Sequence, residues 1–257
     1  MTIPFHLYFG FLEVGYRHID TARRYGVEKY LGQAIEDSGI ERSDLFLSTK
    51  LWPQDYGKGS SKAAALKSMH RMNTDYLDLY LLHWPICSTK VLDPKQCLAD
   101  SWRDLELLLD QERIRAIGVS NFLQHDLENL MESMDISGVV PHVNQCEFHP
   151  YQNPYELRRF CEDKGDITIL MNAKDFSEFV IVKVGIHFGG YCPLGKGHLL
   201  NDETVINIAN CINKSPAQVL IRWSLQNGVS TIPKSTKKNR VLQNYKVKTE
   251  YVCVMHM

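Results

Sequence analysis

Apolar positions along this chain fall into two alternating patterns. Short runs with period two, or with no polar interruption, read as strands, and longer runs with apolar residues three and four apart read as helices. The first strand is predicted at Tyr16–Ala22, ending in Asp20-Thr21-Ala22, and a helix follows at Val27–Asp37 with Tyr30, Leu31, Ala34 and Ile35 on one stripe. Further strands are predicted at Leu45–Leu51, Leu77–Trp84, Ala116–Asn121, Val143–Phe148, Ile186–Tyr191 and Val229–Pro233. The segments between them read as helices: Ser61–Met72 with Ala65, Leu66 and Met69 inward, Leu98–Ile114, Asp126–Met134, Tyr155–Asp163, Glu203–Ile212 and Pro216–Gln226. Ser215, with Pro216 at the first helical position and Gln218 two further on, has the form of an N-cap with a capping box. The continuous apolar run at Leu77–Trp84 suits a strand buried on both faces, as in a parallel sheet.

Strand–helix alternation over nearly the whole chain predicts an α/β fold with a parallel sheet. Periodicity alone does not separate a closed barrel from an open doubly wound sheet. The open sheet would call for a G-x-G-x-x-G turn after its first strand, and Gly195-Lys196-Gly197 is too short to be one. At 257 residues the chain is near the length of one (β/α)8 barrel, so a single domain over 1–257 is expected. Two stretches do not fit the alternation. Asp166–Val184 carries two apolar runs of its own, and the chain ends in KTEYVCVMHM with no final amphipathic helix expected after the last strand.

Composition narrows the function classes. The chain is 44% hydrophobic and 23% charged with a formal net charge of -1, which is ordinary for a globular protein and offers no nucleic-acid surface. No apolar run is long enough to span a bilayer, and the N-terminus lacks the basic start and cleavage site of a signal peptide. The 7 cysteines are odd in number and include no C-x-x-C, so neither a disulfide framework nor a zinc site is indicated. Buried inert thiols and a cytoplasmic location are the expectation. Oligomeric state is not readable.

Four polar residues carry the candidate chemistry: Asp20, Tyr25, Lys50 and His83, in GYRHIDTARRYG, LFLSTKLW and LDLYLLHWP. Each lies at or near the end of an apolar run, where a parallel barrel builds its active site. Singly each has a bland reading: a surface tyrosine, a structural ion pair, a core histidine. Together they describe a proton-transfer site. A phenol has a pKa near ~10 and is a poor acid at neutral pH, but a nearby ammonium lowers that value. Asp20 can hold Lys50, His83 can orient a substrate oxygen, and Tyr25 can protonate that oxygen as hydride reaches the attached carbon.

The motifs GYRHIDTA, LSTKLW, DLYLLHWP, IRAIGVSNF, VNQCEFHP, YCPLGKG and IPKSTKKNRV, in order from about Gly15 to Asn244, resemble the aldo-keto reductase family. The resemblance implies a (β/α)8 barrel that binds NADPH and reduces a small aldehyde or ketone, with Tyr25 as general acid and Asp20, Lys50 and His83 completing a tetrad. It further implies that Ser120, Asn121 and Gln145 hold the nicotinamide carboxamide and that Tyr191 stacks on the ring. Leu194, Lys196 and Gly197 would cover the pyrophosphate. Lys234, Ser235, Thr236 and Arg240 would take the 2′-phosphate, and Gln243 and Asn244 would lie at the adenine. Trp52 and Trp84 suggest an apolar substrate pocket. No metal is implied. The alternative is a non-catalytic or folding-impaired NADPH-binding relative.

Three departures from the family pattern are visible. Only Met1–Val14 precedes the first matching motif, so the first βα unit is expected to be incomplete, with IPFHLYFG standing in for the strand and FLEV too short for a crossover helix. Residues 166–184 read as an insertion. The last helix is expected to be missing. Open strand edges and exposed apolar surface would then weaken the barrel.

Overall fold

The computed structural model describes residues 5–88, 92–134, 138–164, 168–171, 179–182 and 185–249; for residues 5–9, 168–171, 179–182 and 248–249 this covers the backbone alone. The chain divides into two compact units, Met1–Gln145 with Tyr155–Phe188, and Cys146–Pro154 with Gly189–Met257.

The first unit opens with helix α1, Phe5–Val14. This corrects the expectation of a strand at IPFHLYFG, since FLEV is the last turn of one helix. Near-uniform apolarity gave the segment no period by which to choose. Arg17 closes it by donating from Nη1 to the carbonyls of Leu12 and Tyr16, both at 3.0 Å. Strand and helix then alternate: β1 His18–Asp20, α2 Glu28–Ser38, β2 Phe46–Leu51, α3 Ser60–Arg71, β3 Leu79–Leu82, α4 Pro94–Asp110, β4 Ile117–Ser120, α5 Gln124–Glu132, β5 Val143–Glu147 and α6 Tyr155–Asp163. From β1 to β5 each strand pairs with the next in parallel register, Asp20 opposite Ser48, Lys50 opposite Leu81, Leu82 opposite Val119 and Ser120 opposite Gln145.

Side chains of alternate parity share a sheet face. On one face Phe46, Leu79, Leu81 and Ala116 form an apolar cluster with Val143 against it. Toward the C-terminal ends of the strands, the same parity turns polar: Asp20, Ser48, Lys50, His83, Ser120 and Gln145. Gly118 lies in this layer, where an added Cβ would come within 2.5 Å of the Val143 carbonyl and 2.8 Å of Leu81 Cδ2. On the opposite face buried Glu28 ties three elements, accepting from Thr49 Oγ1 at 2.8 Å and pairing with Arg71 Nε at 2.6 Å. The helices bury the expected stripes with two exceptions. Tyr30 and Leu66 are exposed, and Ala64 is buried beside Ala65 and Met69 instead. Helix α4 starts four residues earlier than predicted, because Asp93 caps it by accepting from the Gln96 N–H at 3.0 Å with Pro94 at the first position.

Within the stretch read from the sequence as an insertion, 166–184, the described residues form two strands, β6 Thr168–Met171 and β7 Phe179–Val182, paired antiparallel with Thr168 opposite Val182. Its remaining positions lie outside the described residues.

In the second unit the last three residues of β8, His187–Tyr191, pair in parallel with β9, Ser230–Ile232, with Tyr191 opposite Ile232. Between them lie α7, Glu203–Cys211, and α8, Pro216–Gln226. The predicted capping box is present: Ser215 N–H donates to Gln218 Oε1 at 3.0 Å and Gln218 N–H to Ser215 Oγ at 3.3 Å. A helix also follows the last strand, α9, Lys238–Tyr245, where none was expected. Only Val241 and Asn244 of this polar segment are buried, too few to show as an amphipathic stripe.

Contrary to the expectation of free thiols, Cys87 and Cys97 form a disulfide, with their Cα atoms 6.5 Å apart. The first turn of α4 brings Cys97 back under the segment that follows β3, a proximity that spacing along the chain does not reveal. Cys146, Cys161, Cys192 and Cys211 are not joined in disulfides.

Candidate active site

Asp20 ends β1, Lys50 is the fifth residue of β2, and His83 follows β3 directly, its N–H donating to the Leu51 carbonyl at 3.1 Å. Tyr25 reaches the same place by a turn. Arg23–Tyr25 is a single 3-10 turn closed by Gly26 at φ 68°, a left-handed conformation that glycine adopts without strain. The first unit therefore brings all four predicted tetrad residues together.

Lys50 Nζ is ion-paired with Asp20 Oδ1 and donates to the Thr21 carbonyl at 3.0 Å. Both side chains are withdrawn from water, Lys50 at 2% and Asp20 at 7% exposure. The other carboxylate oxygen of Asp20 accepts from Ser48 Oγ at 2.7 Å and from Gln145 Nε2 at 3.1 Å. The ammonium lies 5.6 Å from the centroid of the Tyr25 ring. The Tyr25 and His83 rings meet edge to face at 5.9 Å, and Trp52 meets His83 in the same manner at 5.3 Å.

Burial, aided by the Lys50 charge and opposed by Asp20, pushes the His83 imidazole down to about 4. It is neutral at pH 7 and so has one donor and one acceptor nitrogen. Its Nδ1 is buried with no hydrogen-bond partner. Tyr25 is half exposed at 50% relative area, so the site opens to solvent on the tyrosine side.

Ser120 and Asn121 leave β4 beside this cluster. Ser120 Oγ donates to the Gln145 carbonyl at 2.8 Å, and Asn121 Nδ2 donates to the His83 carbonyl at 2.9 Å. Asn121 adopts φ 64°, a left-handed conformation that asparagine tolerates better than most residues. The Asn121 bond ties that residue to the tetrad's own backbone, and Gln145 reaches the tetrad through its side-chain bond to Asp20.

Two contributors were missed in the sequence. Ser48 anchors Asp20 and lies two residues before Lys50, on the same strand face, so alternation was the signal that pointed to it. Tyr56 OH donates to the Trp84 carbonyl at 3.0 Å and accepts from the Trp84 N–H at 3.2 Å, fixing the segment that carries Trp84. Nothing in the local pattern marks Tyr56.

In the second unit, Tyr191 ends β8, and Leu194, Lys196 and Gly197 form a tight turn with Lys196 at φ 55° and Gly197 at φ 96°. Lys234, Thr236 and Arg240 are exposed around the start of α9, and the N-cap, Lys237, supplies no side-chain bond to it. Ser235 Oγ accepts from the Lys237 N–H at 3.2 Å. Cations and hydroxyls with no carboxylate in Lys234–Tyr245 make a donor set that fits a phosphate. Gln243 is exposed and Asn244 buried on the same helix. No group of metal-ligating side chains occurs among the described residues.

An acid, a phenol, an amine and an imidazole are gathered at the ends of parallel strands, and comparison with known proteins gives the family. The model of the aldo/keto reductase family matches residues 6–251, and the chain belongs to that family. It is 43% identical over 230 residues to glyoxal reductase of Bacillus subtilis, covering 90% of this chain and 72% of that one. Against an uncharacterized oxidoreductase of Caenorhabditis elegans it is 41% identical over 233 residues, 91% of this chain but 65% of the relative, a little under two thirds of its length. The solved aldo/keto reductase from Brucella melitensis is similar with a TM-score of 0.81 and 38% identity, covering 97% of this chain and 84% of that one. The fold class expected from the sequence, the (β/α)8 type, is the one the chain has. No helix among the described residues is long and apolar enough to cross a membrane.

Proposed function

We propose that the chain is an NADPH-dependent carbonyl reductase that reduces small aldehydes or ketones, with Tyr25 as the general acid. The observation that carries this reading is the buried Asp20–Lys50 ion pair lying beneath the Tyr25 ring, with neutral His83 at the ring's edge. When bound, the cofactor supplies a hydride. The remaining work falls to side chains of this protein. His83 presents an uncharged imidazole N–H to the carbonyl oxygen and orients it. Tyr25 gives its phenolic proton to that oxygen as negative charge develops there. The Lys50 ammonium stabilises the phenolate left behind, and Asp20, fixed by Ser48 and Gln145, keeps Lys50 in place. Ser120, Asn121 and Gln145 offer the donors and acceptors that a carboxamide needs, and Tyr191 offers a ring face. Lys234, Ser235, Thr236 and Arg240 favour the 2′-phosphorylated cofactor. Trp52 and Trp84 supply apolar surface for the substrate's body.

The name of the Bacillus subtilis relative makes glyoxal a sound first substrate. The test is the fall in near-ultraviolet absorbance of NADPH with glyoxal or another small aldehyde. Wild type is expected to turn over, and Tyr25→Phe to lose about 10²- to 10⁴-fold in kcat with NADPH affinity unchanged. Equal rates for the two proteins would overturn the assignment of Tyr25. Binding of NADPH without any turnover would select the non-catalytic reading.

A further inference from the structure

We propose that Cys87 and Cys97 form a thiol–disulfide exchange site that sets how firmly the Trp84–Cys87 segment is held. The proposal rests on the carbonyl-reductase reading in one respect, that this segment borders the substrate.

Cys87 lies four residues beyond His83, on a segment whose apolar side chains Trp84 and Ile86 are exposed. Cys97 is buried one turn into α4. Non-covalent bonds hold the same neighbourhood. Tyr56 OH grips the Trp84 backbone in both directions. The adjacent Gly57 N–H donates to Ser101 Oγ at 2.8 Å, and Ser101 Oγ donates to the Cys97 carbonyl at 2.7 Å. The chain of contacts thus runs from the Trp84 backbone through Tyr56, Gly57 and Ser101 to Cys97, and the disulfide closes it covalently at Cys87. Cutting that link leaves Trp84 tethered through Tyr56 while Ile86 and Cys87 lose their anchor.

The two sulfurs differ in the way exchange requires. Cys87 is partly exposed and open to an incoming thiolate, whereas Cys97 is buried. Attack at Cys87 Sγ forms a mixed disulfide and releases the Cys97 thiolate near the N-terminal end of a 17-residue helix, whose dipole favours the anion. When the reductant is a dithiol, its second thiol attacks the mixed disulfide and releases Cys87. The protein gains two electrons and two protons, and the dithiol becomes a cyclic disulfide. A small-molecule disulfide such as oxidised glutathione reverses the reaction. A closed loop of this length restricts the segment appreciably, and ordering released on reduction must be regained when substrate binds.

The test equilibrates the full chain in glutathione buffers of graded oxidation, blocks free thiols with an alkylating reagent and reads Cys87 and Cys97 by peptide mass. Both are expected to be protected in the oxidising buffers and labelled together in the reducing ones, reversibly. Tryptophan fluorescence should change in step, in wild type and Cys211→Ser and not in Cys87→Ser or Cys97→Ser. On reduction KM for the aldehyde should rise by about fivefold at unchanged kcat. Cys87→Ser should show the raised KM whatever the buffer. Labelling of both cysteines in every buffer, or a disulfide whose reduction leaves fluorescence and KM untouched, would overturn the proposal. If neither redox form turns over any carbonyl, the reductase reading fails, while the labelling and fluorescence results still decide the exchange site.

Discussion

Replacing Asp20 with Asn removes one charge from a pair whose members are 7% and 2% exposed. Lys50 is then left without its counter-ion in a site withdrawn from water, with only the Thr21 carbonyl as a described acceptor. The amide does not solve this. If its oxygen takes the place that receives Ser48 Oγ and Gln145 Nε2, its NH₂ group faces an ammonium that can only donate. If it is flipped, the NH₂ group faces those two donors instead. Breaking a buried pair by removing one partner costs about 3–5 kcal/mol, a large share of the ~5–15 kcal/mol that a folded protein has in hand. For a chain of this size that corresponds to a fall of roughly 10 °C in Tm. The assay is urea unfolding followed by circular dichroism and by tryptophan fluorescence, with coincidence of the two transitions required. Asp20→Asn/Lys50→Met should recover most of the loss, because no uncompensated charge remains. An Asp20→Asn variant within about 1 kcal/mol of wild type, or a double variant no more stable than the single one, would refute the reasoning.

Acid pH probes a second feature of the site. His83 and His18 are both held down to about 4 by burial, below the usual 6.5, so between these values the unfolded chain binds more protons than the folded one. Stability from this source is fully present above pH 6.5 and is lost as pH falls toward 4. His83 should contribute a slope of about 1 kcal/mol per pH unit, and His83→Gln should flatten the urea midpoint over that window. Tyr56→Phe, which loses both bonds to the Trp84 backbone, should raise the aldehyde KM with little change in kcat, measured in steady state. Arg240→Ala should weaken NADPH binding about tenfold or more in a fluorescence titration while leaving NADH nearly unaffected, and equal losses for both would count against a 2′-phosphate role. Gly118→Ala should destabilise by about 1–3 kcal/mol, because the Val143 backbone would have to move.

Much of the site was legible because the chemistry sits where strands end. Asp20, Lys50 and His83 each follow an apolar run, and the sheet register that brings Asp20 level with Ser48 and Lys50 with Leu81 does the rest. Tyr25 was legible as a candidate, yet its placement depends on the left-handed turn at Gly26. Ser48 was available from strand alternation and was overlooked. Other features depend on tertiary proximity that no local pattern encodes, namely the Cys87–Cys97 bridge and the hold of Tyr56 on Trp84. Helix ends misled for opposite reasons: α1 is apolar nearly all round and α9 polar nearly all round, so neither shows a stripe. Tyr30 and Leu66 show the limit of an apolar stripe, since each lies at its margin and faces water.

The central claim is that this chain moves hydride to a carbonyl carbon while Tyr25 protonates the oxygen. It is tested most directly with NADPH deuterated on both faces of the nicotinamide C4 and a small aldehyde, with mass spectrometry of the product. The account predicts an alcohol carrying one deuterium on its carbinol carbon, formed by wild type and almost none by Tyr25→Phe. A folded, NADPH-binding wild-type protein that yields no deuterated alcohol from any small aldehyde or ketone would contradict it.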